Sequence, residues 1–224
     1  MDKTPPRKLH PSPDLSTEQK ILDAARQEFS EHGLDGARMQ AIATRAGVNK
    51  ALLHYNFRSK DKLFEFIIRD LVSGIWSAIR ADLDQQPQAI DLRSMIRSLV
   101  SAYITALSKH PEMPQILIRQ LLTRDKNVRA IARSIIREVG DAPVRIFAAF
   151  EKEARAGRIR KIEPVHLILN IIGMVIVTFL SQPIAEIAQQ ETGFRISYNE
   201  HFYKARIESI TNMFFDGIAV KELS

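Results

Sequence analysis

Hydrophobic side chains in the first third of the chain recur at helical spacing, and polar residues or glycines separate the segments. The first predicted helix begins near Ser16, has its apolar face between Ile21 and Phe29, and ends at Gly33, a residue that favours the left-handed backbone of a helix end. Two short helices follow, over Met39–Ala46 and Lys50–Asn56. The pattern therefore predicts three N-terminal helices, of which the last two are short and close together.

The same spacing continues along the remaining residues, where prolines and glycines mark the boundaries. No segment alternates between apolar and polar residues with a period of two, and no longer unit repeats, so we expect neither a sheet nor a repeat architecture. The further predicted helices cover, in chain order, 59–83, 91–109, 114–121, 127–156 with a kink at Pro143, 164–187 and 199–220. The predicted fold class is all-α.

Composition favours a globular protein of the cytoplasm. Among 224 residues, 45% are hydrophobic and 26% are charged, which is ordinary for a globular domain. The chain has no cysteine, which excludes disulfides, thiol catalysis and cysteine-ligated metals. The first residues lack the apolar core of a secretory signal. The most apolar stretch, 165–180, contains His166 and Asn170 and is shorter than the roughly 20 residues of a membrane span, which favours a buried helix.

Residues 1–14 contain four prolines and several cations, and they predict a flexible N-terminal arm. Two interpretations of this arm stay open: a disordered tail, or an arm that follows DNA. The formal net charge of the chain is +6, which makes a polyanionic partner plausible. The distribution of charge is more informative, because the segment 36–60 has no acidic residue. Its cations are Arg38, Arg45, Lys50, Arg58 and Lys60.

The segment Met39–Phe57 has the properties of a helix-turn-helix. Its two short helices are joined by Ala46-Gly47-Val48, where the glycine allows a sharp turn and the valine fills the angle between the helices. The flanking helices provide apolar faces on which this pair can pack. Such an arrangement allows the second helix of the pair to enter the major groove of DNA.

The third helix carries suitable side chains for that role. Asn49 and Lys50 lie at its N-terminus, where free N–H groups and the helix dipole favour a phosphate. Leu52 offers an apolar contact, whereas His54 and Tyr55 can stack or hydrogen-bond.

Each of these positions also has a simpler interpretation. Leu53 and Phe57 are assigned to the core, and Tyr55 suits a phosphate as well as a base. Arg45 can pair with an acid of the first helix. Asn56 is interpreted as solvated, although it has the groups to read adenine.

The run at 21–68, ILDAARQEFSEHGLDGARMQAIATRAGVNKALLHYNFRSKDKLFEFII, resembles the DNA-binding domain of the TetR family of repressors, and the resemblance covers about 15–75. The specific features, taken together and in order, are Ala24-Ala25, Phe29, His32-Gly33, Ile42-Ala43, Ala46-Gly47-Val48, Leu53, Phe57, Ser59-Lys60 and Leu63-Phe64. The sequence departs from the family pattern at Ala37-Arg38, where a hydroxyl residue often caps the second helix, and at Asn56, where an aromatic residue is frequent.

The resemblance implies an all-helical homodimer that binds double-stranded operator DNA with an inverted repeat. The implied domains are the arm 1–14, a DNA-binding domain 15–75 with the helix-turn-helix at about 38–57, and a C-terminal domain 76–224 for effector binding and dimerisation. The positions that match the family's DNA contacts are Arg38, Gln40, Asn49, Lys50, Leu52, His54, Tyr55 and Lys60.

The resemblance further implies that the middle helices enclose a pocket for a small-molecule effector, which the apolar composition predicts to be hydrophobic or amphipathic. The candidate lining residues are Trp76, Tyr103, Met113, Arg119, Phe147, Phe150, Asn170, Met174 and Phe179. The helices around 167–180 and 202–218 are the candidate dimer surface, with the alternative that they only fill the core of one protomer.

Other classes of function have less support in the sequence. An enzyme would need a nucleophile with a base, a phosphate loop or a glycine-rich cofactor motif, and none is recognisable. We predict no cofactor and no metal, because the six histidines show no i,i+4 pair and none stands beside a carboxylate pair at ligand spacing. The remaining alternative is a helical adaptor protein without specific DNA binding.

Overall fold

The fold was analysed in a computed structural model that describes residues 15–85, 91–122, 127–193 and 195–218. Within these ranges the chain forms helices and no strand, which confirms the all-α prediction. The predicted arm 1–14 lies outside the described residues. The helices are α1 (Leu15–Gly36), α2 (Met39–Ala46), α3 (Lys50–Phe57), α4 (Lys60–Gln85), α5 (Leu92–Lys109), α6 (Met113–Leu122), α7 (Asn127–Val139), α8 (Ala142–Arg155), α9 (Pro164–Leu180), α10 (Gln182–Thr192) and α11 (Glu200–Ile218).

The chain divides into two compact units, Met1–Phe64 and Glu65–Ser224, so the division falls within α4. In the first unit, α1 packs against α2, and α2 packs against α3. The rings of Phe29 in α1 and Phe64 in α4 meet edge to face with centroids 5.2 Å apart, and both are fully buried. These aromatic side chains provide the centre of a small core, on which the two short helices are held.

The first helix changes direction at Gly33. This residue has φ 68° and ψ 175°, a backbone conformation that is accessible to glycine because glycine has no Cβ. The predicted helix end at Gly33 is thus a break in the helical path, but its ψ is not that of the predicted left-handed helix end. One further turn follows up to Gly36, and Ala37 N–H donates to the Gly33 carbonyl (3.1 Å).

The second unit is organised around α5, which packs against α8, α9 and α11. Asp91 caps this helix by accepting the backbone N–H groups of Arg93 and Ser94. The buried face of α5 is entirely apolar and consists of Leu92, Met95, Ile96, Leu99, Val100, Ile104 and Leu107. Since these positions repeat every three or four residues, the amphipathic pattern of the sequence explains why α5 occupies the centre of the unit.

Two of the predicted long helices are interrupted. The segment predicted as one kinked helix over 127–156 consists of α7 and α8, and the segment predicted over 164–187 consists of α9 and α10. In both cases a proline, Pro143 or Pro183, lies in the first turn of the second helix. Proline lacks an N–H donor and its ring clashes with the carbonyl four residues earlier, so the chain begins a new helix there.

Within the described ranges, no single helix is long and apolar enough to cross a membrane. The segments Val165–Leu180 and Gln182–Thr192, bent by 47°, meet the criteria of length and composition only when taken together.

Candidate nucleic-acid interface and effector cavity

The turn between α2 and α3 is formed by Gly47, as the sequence predicts. Gly47 adopts a left-handed backbone (φ 68°, ψ 28°), and its N–H donates to the Thr44 carbonyl (3.2 Å). The N–H of Val48 donates to the Ala43 carbonyl (3.0 Å). This pair of bonds is the Schellman arrangement, which ends a helix and redirects the chain sharply.

Asn49 begins α3 as predicted, because its side-chain oxygen accepts the N–H of Leu52 at 2.7 Å. Leu53 and Phe57 are buried, which confirms their assignment to the core. These anchors fix the rotation of the helix about its own axis. As a result, the opposite side of α3 faces outward.

The outward side of α3 is a contiguous stripe. Its members are exposed and follow i, i+1, i+4 spacing: Lys50, Ala51, His54, Tyr55 and Arg58. Tyr55 retains 66% of its surface exposed, which is high for an aromatic side chain. Leu52, predicted as an apolar DNA contact, is only partly exposed. The predicted DNA contacts did not include Ala51 and Arg58, although the helical period counted from Lys50 and His54 leads to both.

The predicted side chains of the α2 N-terminus are also accessible. Arg38 and Gln40 are exposed, as is Asn49 at the start of α3. Arg38 stands at the N-cap position and its side chain makes no capping bond. The carboxylate of Glu28 in α1 instead accepts the backbone N–H of Arg38 itself at 3.2 Å. This bond is the one that a glutamate at the third helical position makes in a capping box, and here a residue of another helix supplies it.

Arg45 pairs with an acid of the first helix, as predicted. Its guanidinium binds both carboxylate oxygens of Glu31 (2.9 and 2.7 Å) and lies 3.6 Å from Glu28. This bidentate bond holds the pKa of the Glu31 carboxyl below its ordinary value of 4.5 and raises the pKa of the Arg45 guanidinium. The pair ties the end of α2 to α1.

His32 lies beside this pair, and its imidazole Nδ1 is 3.5 Å from Glu28. Glu28, Glu31 and His32 place their ligand atoms within 4.8 Å of one another. The expectation that no histidine stands beside a carboxylate pair was therefore wrong. The two carboxylates already bind the Arg45 guanidinium, so the cluster forms an ion-pair network.

Lys60, which matches a DNA contact of the family, already has a hydrogen-bond partner within the protein. It is half-buried, and its ammonium group donates to the Asp35 carbonyl at 2.6 Å. A cation near the last carbonyls of a helix is favourable, so Lys60 also stabilises the end of α1.

Asn56 is not solvated as expected. It is half-buried, and its side-chain nitrogen is buried without a hydrogen-bond partner in the described part of the chain.

Three exposed cations of the acid-free segment 36–60 remain: Arg38, Lys50 and Arg58. Within the described ranges their side chains form no ion pair. By contrast, the other two cations of the acid-free segment, Arg45 and Lys60, bond to α1. The charge of the segment is thus divided between cations that hold the fold and cations that face outward, and the second group suits a polyanion.

The second unit contains an apolar cavity of about 520 Å³. Helices α4 to α9 contribute its wall, which consists of Leu71, Val72, Ile75, Trp76, Leu99, Tyr103, Leu107, Pro114, Leu117, Ile135, Ile136, Val139, Pro143, Ile146, Phe147, Leu167, Ile168, Ile171, Ile172 and Ile176. Among the described residues, no charged side chain belongs to this wall. Burial raises the pKa of Tyr103 to about 12, so the phenol stays neutral at physiological pH.

Of the predicted effector residues, Trp76, Tyr103 and Phe147 line this cavity. Phe150 lines a smaller neighbouring cavity of about 260 Å³, which shares Phe147 and Leu167 with the larger one.

The other predicted effector residues lie elsewhere. Met113 is buried away from the cavity wall, Arg119 and Asn170 are exposed, the Met174 carbonyl accepts the Thr178 hydroxyl, and Phe179 stacks on Tyr203. The aliphatic residues that form most of the wall were not predicted, because in the sequence they are indistinguishable from core residues.

An all-helical fold, a Schellman turn between two short helices and a cationic outward helix face define a helix-turn-helix DNA-binding protein. Residues 21–67 match the family described as bacterial regulatory proteins, tetR family. The N-terminal segment 21–67 is therefore that of a TetR-family regulator.

Two relatives with similar sequences are also named as transcriptional regulators or repressors. The transcriptional repressor NicS of Pseudomonas putida is 31% identical over 125 residues, which are 52% of this chain and 56% of NicS. The transcriptional regulator RutR of Escherichia coli is 26% identical over 205 residues, which are 88% of each chain. Both proteins are named as regulators and not as enzymes.

A solved structure shows the same fold. The transcriptional regulator FadR from Bacillus subtilis, in complex with stearoyl-CoA, superposes with a TM-score of 0.63 at 16% identity and covers 90% of this chain and 99% of its own. At this level of identity, the likeness concerns the fold alone.

The ion pair between α1 and α2 gives a prediction. Replacing Arg45→Gln removes the cation that favours ionised Glu31, so the pKa of the Glu31 carboxyl should rise toward 4.5. Because folding lowers this pKa, the pair stabilises the fold above pH 4.5, and the stabilisation is lost as the pH falls through the lowered value. A carbon-13 NMR titration of the glutamate carboxyls measures the shift.

Arg155→Gln is the matched control, because it breaks an exposed ion pair with Glu151 in the second unit. It should leave the Glu31 pKa unchanged. An identical Glu31 pKa in the wild-type chain and in Arg45→Gln would contradict the role of this ion pair.

Proposed function

We propose that this protein is a ligand-responsive transcriptional repressor. As a homodimer it binds an inverted-repeat operator through its N-terminal helices, and it releases the operator when a small, largely apolar effector binds to the second unit. The observation that carries the proposal is the exposed stripe of α3, where Lys50 and Arg58 flank Tyr55 on a helix anchored by buried Leu53 and Phe57.

The outward stripe suits duplex DNA for a physical reason. An α-helix fits the major groove, and cations at its start and end can contact the phosphates on either side. Lys50 stands at the N-terminus of α3, where the helix dipole also favours an anion. Arg38, at the start of α2, provides a third exposed cation, and Gln40 and Asn49 provide polar groups. We assign DNA binding to the part of the chain over 15–75.

A second copy of the chain is the proposed occupant of an exposed apolar stripe on α9. Val165, Leu169 and Val177 lie four or eight residues apart and are between 56% and 61% exposed. Gly173 completes the same stripe and allows close approach of another helix. One recognition helix buries too little surface for specific binding, whereas a two-fold dimer presents two of them about 34–36 Å apart, one DNA turn. A dimer formed through α9 would cover the apolar stripe and would present two recognition helices to the DNA.

The cavity of the second unit supports an apolar effector. Moving a charged group into a wall without charged partners is costly, so the enclosed part of the ligand is uncharged. A volume of about 520 Å³ lies in the usual range for small-molecule sites. The stearoyl-CoA complex of FadR shows that a protein of this fold accommodates a molecule with a long apolar chain.

Release of DNA follows from differential affinity. If the effector binds more tightly to an arrangement of the dimer with a different spacing between recognition helices, it shifts the population toward that arrangement and lowers the operator affinity. The alternative function, a helical adaptor, differs in one measurable property. An adaptor would show no salt-dependent affinity for duplex DNA.

The DNA-binding assignment is tested with Lys50→Ala and Tyr55→Ala. We expect each substitution to weaken binding to the DNA upstream of the protein's own gene by roughly tenfold, equivalent to about 1.4 kcal/mol, because each removes a polar contact to the duplex. Lys50→Ala should also reduce the slope of log affinity against log salt by about one. Fluorescence anisotropy at several salt concentrations measures both quantities.

Lys20→Ala is the control for the loss of one charge, because Lys20 is an exposed cation of α1 away from the stripe. It should bind as the wild-type chain does, and circular dichroism should show unchanged helix content in all variants. Unweakened binding by both Lys50→Ala and Tyr55→Ala would refute the assignment of α3 as the recognition helix.

The dimer surface is tested with Leu169→Glu. Burying a carboxylate in an apolar interface without a partner is unfavourable, so this variant should sediment as a monomer at micromolar concentration while the wild-type chain sediments as a dimer. Val144→Glu is the matched control, since Val144 is 68% exposed on α8 outside the stripe. A monomeric wild-type chain, or a dimeric Leu169→Glu, would be incompatible with the proposed interface.

The cavity is tested with Nile red, an uncharged apolar dye. We expect saturable binding of one dye molecule per chain, and a dissociation constant at least about tenfold higher in Leu117→Trp, because the larger side chain fills part of the cavity. Leu122→Trp places the same residue at a position that is 77% exposed on the same helix, and it should bind the dye normally. Equal affinity in both variants would show that the dye, and by extension an apolar effector, binds elsewhere.

A further inference from the structure

His54 and Arg58 are joined by two hydrogen bonds at the end of α3. The backbone N–H of Arg58 donates to the His54 carbonyl at 2.9 Å. In the opposite direction, the imidazole Nδ1 of His54 lies 3.1 Å from the Arg58 carbonyl oxygen. The histidine therefore holds both the amide and the carbonyl of the residue that ends the helix.

The backbone at Arg58 is strained. Among the described residues other than glycine, Arg58 alone has a positive φ, with φ 58° and ψ −45°. The N–H of Ser59 donates to the Phe57 carbonyl at 2.6 Å across this residue. Positive φ, negative ψ and a bond between residues two apart define the rare γ-turn, an unfavourable conformation that its surroundings must hold in place. The His54 side chain is one of the groups that do so.

The bond to the Arg58 carbonyl fixes the tautomer of His54. A carbonyl oxygen can only accept a hydrogen bond, so the proton of the neutral imidazole is on Nδ1. A neutral imidazole carries one ring proton, and Nε2 therefore has a free lone pair. His54 thus presents a hydrogen-bond acceptor on the side of its ring that faces away from Arg58.

This acceptor lies on the proposed DNA-facing stripe. His54 is exposed, it is four residues from both Lys50 and Arg58, and it precedes Tyr55. Within the described part of the chain, its Nε2 has no protein partner. The surroundings of the ring therefore hold its orientation at one nitrogen and leave the other available for a ligand.

We propose that His54 reads one base pair of the operator by accepting, at Nε2, a hydrogen bond from the exocyclic amino group of adenine or cytosine. These amino groups are the base donors of the major groove, whereas guanine N7 and O6, thymine O4 and the phosphate oxygens only accept. A neutral imidazole with Nδ1 occupied cannot donate to any of those acceptors. The inference rests on the proposed function, because it requires α3 to enter the major groove.

The first experiment selects DNA from a random duplex library with the full-length chain. The expected result is enrichment of one base pair at one position in each half-site. Every base pair carries one such amino group, on its adenine or its cytosine, so the second experiment, which removes that group, is the deciding one. His54→Asn should abolish the preference at that position and leave the other positions unchanged. The asparagine amide reaches the place of Nδ1 and can still donate to the Arg58 carbonyl, but it has no group at the place of Nε2.

His54→Phe helps to separate the two roles of His54, recognition of a base and stabilisation of the turn at Arg58. The phenyl ring keeps the size of the imidazole and has neither nitrogen, so this variant should lose the base preference and also unfold at a lower temperature than His54→Asn. If His54→Asn unfolds at the same temperature as the wild-type chain and yet loses the preference, the effect belongs to Nε2 and not to damage in the turn.

The second experiment removes the amino group from the selected base. Replacing adenine with 2-aminopurine moves the amino group into the minor groove, and replacing cytosine with 2-pyrimidinone deletes it. The wild-type chain should lose roughly 3- to 10-fold in affinity, as expected for one uncharged hydrogen bond. His54→Asn should change by less than about twofold, because it no longer makes that bond.

The outcomes separate this inference from the proposed function. Absence of any selected sequence and of salt-dependent duplex binding would refute DNA binding itself. Undiminished affinity of the wild-type chain for DNA whose selected base pair lacks the amino group in the major groove, or a uniform loss of affinity across all sequences in His54→Asn, would leave DNA binding intact and overturn the inference. The uniform loss would identify His54 as a phosphate contact.

Discussion

The position of the helix-turn-helix depends on the carboxylate of Glu28. This side chain is only 3% exposed, accepts the N–H that begins α2, and lies 3.6 Å from the Arg45 guanidinium at the other end of the same helix. A buried carboxylate is costly unless its lone pairs are bonded, and here both ends of α2 supply the partners. Glu31 adds a bidentate bond to Arg45, so two acids of α1 hold one short helix at both ends. An eight-residue helix has little stability of its own, and this external support explains how α2 can be so short.

The sequence predicted the elements that depend on local chemistry. Gly47, Asn49 and the period of Leu53 and Phe57 act within a few residues, and the bounds of α2 and the start of α3 follow from them. It did not predict the support by Glu28 and Lys60, because those bonds join residues 10 and 25 positions apart. It also could not distinguish a kinked helix from two helices at Pro143 and Pro183. A proline weakens a helix locally in the same way in both cases, and tertiary packing decides the outcome. The aliphatic part of the cavity wall was missed for a related reason, since an aliphatic residue at helical spacing fits a filled core as well as a cavity wall.

The two units use opposite chemistry in their candidate sites. The stripe on α3 is polar and cationic, and its specificity can come from hydrogen bonds to a polar groove. The cavity wall, by contrast, has no charged residue in the part of the chain that the structure describes, and it offers shape and apolar area. A ligand that fills such a cavity gains free energy from burial, which falls by about 0.8 kcal/mol for each methylene that the ligand lacks. Selectivity among effectors should therefore depend mainly on size and shape, with hydrogen bonding as a smaller contribution.

Strain and recognition are connected at the end of α3. The γ-turn at Arg58 places that residue on the outward stripe, and it requires a partner for the Arg58 carbonyl, which His54 provides. A tyrosine or phenylalanine at position 54 would cover the same surface. Neither ring has a hydrogen-bond donor at the place of Nδ1, so neither could donate to the Arg58 carbonyl from there. His54 thus stabilises the turn at Arg58, and the same hydrogen bond orients its free Nε2. A base-reading group is useful only if its direction is fixed before DNA arrives, because an unfixed ring would lose conformational entropy on binding. The backbone strain at Arg58 and the fixed orientation of His54 therefore have one structural basis.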